Sequence, residues 1–140
     1  GKTLVCLTVI MPGKVKRNLQ SLVVAQAAVT ALVSAFGDSM LKFRLRDLPT
    51  GYEAYLVTPL SNEEAKKETC RIEDTHPLGR LFDLDVIDAD GVPMSRESVG
   101  LSPRKCLVCD NEARYCMRNR THTMAELTAK IDEMIESYVR

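Results

Sequence analysis

The stretch His76-Pro77-Leu78-Gly79-Arg80-Leu81-Phe82-Asp83-Leu84-Asp85-Val86-Ile87-Asp88 decides how the rest of the chain is read. From Leu81 to Ile87 apolar and acidic residues alternate, which is the period of a strand with one face in a core. Leu84 and Val86 then point one way. Asp83 and Asp85 point the other, with Cα atoms roughly 6–7 Å apart. Two carboxylates on one face repel unless a cation lies between them. A cation held by one or two carboxylates together with substrate phosphates is the chemistry of magnesium, and such ions bind the attacking and leaving oxygens in phosphoryl-type displacements. The competing reading is the solvated face of an edge strand. Gly79 supplies a turn ahead of the strand, a partial analogy to the metal-binding strand of nucleotidyltransferases. Arg80 is placed to grip a phosphate through its fork, and His76 to act as a base or phosphate donor.

Upstream, Thr3 to Ile10 (TLVCLTVI) is a β-branched run, read as a buried strand ended by Met11-Pro12-Gly13. Lys14 to Arg17 is a basic loop. Asn18 caps an Ala-, Val- and Leu-rich helix to about Phe36, closed by Gly37-Asp38-Ser39. Leu41 to Leu48 and Tyr52 to Thr58, joined by Pro49-Thr50-Gly51, form a hairpin. Ser61 and Glu64 make a capping box for a polar helix from Asn62 to about Ile72.

Downstream, Ala89-Asp90-Gly91 turns into a short strand around Val92 to Ser95, and Arg96 to Lys105 is loop. Thr123 and Glu126 form a second capping box for a helix from Met124 to Tyr138, whose apolar residues share one face. The expected architecture is α+β: a mixed or mostly antiparallel sheet of four to five strands with two large helices packed on it. The 140 residues suffice for one domain, with a Cys/His-rich segment at 106–122.

Nineteen basic residues balance nineteen acidic ones. Zero net charge argues against nucleic-acid or membrane-surface binding through bulk charge. Locally, Glu73 to Gly91 holds six acids with Arg80 as the one fixed cation, and Arg96 to His122 holds six cations. That pairing suits a polyanion held through a metal, and also suits plain surface charge. No apolar run is read as long enough to span a bilayer. The five cysteines, an odd number, point to a cytoplasmic chain with thiols reduced or metal-bound. Cys106-x2-Cys109-x6-Cys116-x5-His122 offers four ligands for a structural zinc, the alternative being packed free thiols.

Three runs carry a resemblance over nearly the whole sequence: LTVIMPGKVK, EDTHPLGRLFDLDVI and SRESVGLSPRKCLVCDNEARYCMRNRTHTMAEL. They are similar to apo-citrate lyase phosphoribosyl-dephospho-CoA transferases, also called holo-citrate lyase synthases. The resemblance implies transfer of phosphoribosyl-dephospho-CoA from triphosphoribosyl-dephospho-CoA to a serine of the acyl carrier (gamma) subunit of citrate lyase, with release of pyrophosphate. It implies Asp83 and Asp85 as Mg2+ ligands, with Arg80 and His76 on the triphosphate. Lys14, Lys16, Arg96 and Arg104 follow as further substrate contacts. It also lifts Cys106, Cys109, Cys116 and His122 above a packing accident. The family's Arg- and Gln-containing helix ahead of the first strand is absent, so the sequence is expected to lack an N-terminal piece. Phe82 stands where the family usually has Trp. A reading from another class is a non-catalytic, zinc-stabilised module that binds a carrier protein or a nucleotide.

Overall fold

The computed structural model describes residues 2–11 and 18–140. Lys14 and Lys16 lie outside the described residues. The element order is β1 (Thr3–Val9), α1 (Leu19–Phe36), β2 (Lys42–Leu48), β3 (Gly51–Thr58), α2 (Asn62–Thr75), β4 (Phe82–Ile87), α3 (Ala113–Asn119) and α4 (Met124–Val139). The four strands form one sheet in the order β2-β3-β1-β4, and each pairing is antiparallel. The sequence expectation of an α+β fold with a mostly antiparallel sheet holds.

Register sorts the side chains. Val5 pairs with Leu56 and Val86, and Leu7 with Ala54 and Leu84; all of these are buried. Val24, Ala28 and Leu32 of α1, Ala65 and Ile72 of α2, and Ile131 and Ile135 of α4 join the same core. Burial of such side chains is the main favourable term for the fold, on the order of 1.5–3 kcal/mol for each large one. The opposite face bears Cys6, Thr8, Glu53, Tyr55, Asp83 and Asp85, none of them fully buried.

The helix starts are local. The Asn18 side chain accepts from the Ser21 N–H and the Ser21 hydroxyl oxygen from the Asn18 N–H, both at 2.8 Å. Ser61 with Glu64 and Thr123 with Glu126 form capping boxes as expected. Three differences stand out. The helix read as ending near Ile72 runs to Thr75. Acids at a helix C-terminus oppose the dipole, but Arg96 holds both Glu73 and Asp74 there. The strand expected at Val92 to Ser95 is an isolated bridge of Pro93 to Ile87, because proline has no N–H to extend a ladder. Finally, Leu19–Ser39 is by length and composition apolar enough to cross a bilayer, contrary to the sequence reading. In the fold, Val24, Ala28, Leu32 and Phe36 of this stretch are buried in the core.

Candidate active site and Cys/His cluster

Period-two geometry does on β4 what the sequence asked of it: Phe82, Leu84 and Val86 are buried and Asp83 and Asp85 lie on the other face. Each carboxylate has a neighbour on β1, Thr8 beside Asp83 and Cys6 beside Asp85, and the Thr8 hydroxyl donates to Asp83 Oδ2 at 3.4 Å. Burial pushes the Asp85 carboxyl above its ordinary range, and the Asp83 charge pushes it further; Lys66 and Arg104 pull the other way. The pair thus has the repulsion that a bound cation relieves.

The cations arrive from β4's flank. Glu73 is 4% exposed and accepts the Leu84 N–H at 2.9 Å, which satisfies an edge donor of β4. The same carboxylate takes Arg96 Nη2 at 2.7 Å and Arg104 Nη1 at 3.4 Å. Arg104 Nη2 also donates to the Gly79 carbonyl at 2.6 Å. Gly79 is needed on steric grounds: a Cβ there would overlap the Glu73 carbonyl and stand 2.8 Å from the Ile72 oxygen. That close approach sets Arg80 beside Arg104.

Arg80 Nε and Nη1 and Arg104 Nε are buried with no hydrogen-bond partner among the described residues. Each unsatisfied donor of this kind costs about 1–3 kcal/mol, which an anionic ligand would remove. Burial, then the Arg104 charge, pulls the Arg80 guanidinium down to about 10. Burial also lowers Arg104, opposed by Glu73.

Three clefts meet at Asp83. One, of about 310 Å³, is charged and holds Lys66, Asp85, Arg96 and Arg104. A second, of about 440 Å³, is mainly apolar and reaches Arg80 and Arg104. A third, of about 330 Å³, opens along the sheet past Thr8 and Glu53. The structure therefore brings together Asp83, Asp85, Arg80 and Arg104. Arg96 borders the charged cleft with its guanidinium engaged by Glu73 and Asp74. His76 lines none of the three. It caps the C-terminus of α2, packs against the rings of Phe82 and Tyr138 and accepts the Leu78 N–H on Nδ1 at 2.9 Å. Burial lowers its pKa, which keeps the ring neutral. Sequence reasoning missed Glu73, Lys66 and Glu53. Lys66 and Glu73 are the buried charged side chains of a helix otherwise read as polar surface, and only tertiary contact reveals them.

The second cluster is compact. The ligand atoms of Cys106, Cys109, Cys116 and His122 all lie within 4.8 Å of one another. Cys109 Sγ is 3.5 Å from Cys116 Sγ and 3.4 Å from His122 Nε2. Ligands about 2.3 Å from a tetrahedral zinc stand roughly 3.5–3.8 Å apart, so three sulfurs and one nitrogen at this spacing fit that ion. Burial pushes the Cys106 thiol up, but backbone N–H groups of Val108 and Cys109 and the Cys116 and Cys109 thiols bring it down to about 7, towards the thiolate that binds metal. His122 Nδ1 faces Glu126 Oε2 at 3.8 Å. A carboxylate behind a ligating imidazole fixes which nitrogen faces the metal. Glu126 Oε1 meanwhile accepts the Thr123 N–H in the cap of α4, so one side chain ties helix start to cluster.

The sequence matches the family model described as apo-citrate lyase phosphoribosyl-dephospho-CoA transferase over residues 1–138. It is 43% identical over 139 residues to a Vibrio cholerae protein named probable apo-citrate lyase phosphoribosyl-dephospho-CoA transferase, covering 96% of this chain and 78% of that protein. A Streptococcus pyogenes protein of the same name is 34% identical over 140 residues, covering 97% and 73%. The Haemophilus influenzae "Protein CitXG" is 38% identical over 141 residues, and there the chain covers 30% of the longer protein.

Proposed function

The chain belongs to the apo-citrate lyase phosphoribosyl-dephospho-CoA transferase family, and on that premise we propose that it moves phosphoribosyl-dephospho-CoA from triphosphoribosyl-dephospho-CoA onto a serine of the citrate lyase acyl carrier subunit. The serine oxygen attacks the phosphorus that becomes the diester. The bond from that phosphorus to the pyrophosphate oxygen breaks, pyrophosphate leaves, and the serine proton passes to solvent or a nearby carboxylate. The observation that carries the reading is the meeting of paired carboxylates with buried, unpartnered guanidinium donors where three clefts join.

Asp83 and Asp85 would hold Mg2+, which supplies charge neutralisation to the triphosphate when bound. Arg80 and Arg104 grip phosphate oxygens. Lys66 adds positive charge to the cleft where pyrophosphate departs, and Arg96 holds Glu73 so that Arg104 stays in place. His76 acts by position, ending α2 so that Gly79 and Arg80 fall where they do. Lys14 and Lys16 would supply further phosphate contacts. The Cys106, Cys109, Cys116 and His122 set holds a structural zinc: all four positions are filled by protein, leaving none open for chemistry.

The test is mass spectrometry of the apo carrier subunit incubated with this chain, triphosphoribosyl-dephospho-CoA and Mg2+. The wild type adds the prosthetic-group mass. Asp83→Asn and Asp85→Asn slow that transfer by about a hundredfold or more while circular dichroism stays native. A double variant with full activity would sink the reading.

A further inference from the structure

We propose that the apolar cleft is the subsite for the dephospho-CoA end of the donor, and that the Cys/His cluster is its wall rather than a staple remote from chemistry. The inference rests on the transfer reading above and adds where the donor's uncharged portion lies. Cys106, Cys116 and His122 line this cleft together with Leu107, Met117 and Ile131. Leu107 follows one ligand and Met117 follows another, so a metal that fixes the sulfurs also fixes the two apolar side chains beside them. Its volume of about 440 Å³ falls within the roughly 300–1,000 Å³ of small-molecule sites.

The lining selects the ligand class. Apolar walls reject a bare anion. The unpartnered Arg80 and Arg104 donors reject a plain hydrocarbon. What fits is a molecule with a flat or apolar portion joined to phosphate, held with its phosphates at the Arg80 end near Asp83. Arg104 is braced by Glu73 and Gly79, so its guanidinium is held beside the cleft without help from the ligand. Met117 is 79% exposed and lines both this cleft and the charged one, which puts it at the lip between the two portions of the donor.

Calorimetric titration with dephospho-CoA and, separately, with inorganic pyrophosphate tests this on the zinc-loaded chain. Met117→Asp, at an exposed site that tolerates charge, weakens dephospho-CoA by about tenfold or more and leaves pyrophosphate within about twofold. Arg80→Met weakens both. In the wild type, dephospho-CoA slows amide hydrogen exchange at 106–117 and 127–131, a readout that needs no variant. Unchanged dephospho-CoA affinity in Met117→Asp, or no protection over those segments, overturns the subsite even if carrier loading proceeds. Loss of carrier loading with the binding pattern intact would instead overturn the transfer reading and leave the subsite standing.

Discussion

Asp85 is held at a cost to which the charge of Asp83 adds. Burial and the Asp83 charge raise its pKa, so the folded chain binds this proton more tightly than the unfolded chain does. The ionised carboxylate therefore destabilises the fold at neutral pH, and stability recovers as pH falls through the raised value. Asp85→Asn removes that charge. It should raise the thermal midpoint, in a variant expected on the proposed function to lose carrier loading. A midpoint that falls would show Asp85 to be structural instead. On the proposed Mg2+ role a proton at Asp85 would compete with the ion, so the acid limb of a pH–rate profile should lie above the ordinary carboxylate range. Arg80 shows the complementary strain, two buried donors beside a second guanidinium, which the phosphates of the proposed donor would relieve.

Among the elements, the junction of α2 with β4 positions the site. Gly79 lets the chain close against the last turn of α2, and Glu73 reaches from that turn to the β4 edge. Gly79→Ala would force the two apart, at a cost of about 1–3 kcal/mol, and would displace Arg80 and Arg104 with them. Denaturant unfolding should show the loss, and pyrophosphate affinity should drop in the folded fraction; an unchanged midpoint would refute the packing argument. Much of this level was readable beforehand. Capping boxes at Ser61 and Thr123, the hairpin and the alternation on β4 are local signals, and they held. Glu73 was not readable, because its role depends on Arg96 and Arg104, which come more than twenty residues later. The place of the His76 ring was unreadable for the converse reason: its neighbours in sequence border the clefts, while the ring itself packs against Phe82 and Tyr138.

For the molecule as a whole, one sheet face holds the core and the other the carboxylates, and the Cys/His segment closes the space beside them. The family was legible from motif runs alone. The meeting of three clefts at Asp83 was not, since no spacing encodes it. Elemental analysis should find stoichiometric zinc. Chelation should lower the thermal midpoint by several degrees and increase hydrogen exchange at 106–122 before the sheet is affected; a chain with no zinc and an unmoved midpoint would make the cluster packed thiols. The strand order has one more consequence, in time rather than space. The β2–β3 hairpin closes over two residues, whereas Thr8 meets Asp83 across 75 positions of sequence. Long closures come late because their entropy is lost before contacts repay it. The two carboxylates are neighbours along β4 from the start, but Thr8 and Cys6 come beside them only when β1 and β4 pair, so the face that carries the candidate site is finished late in folding.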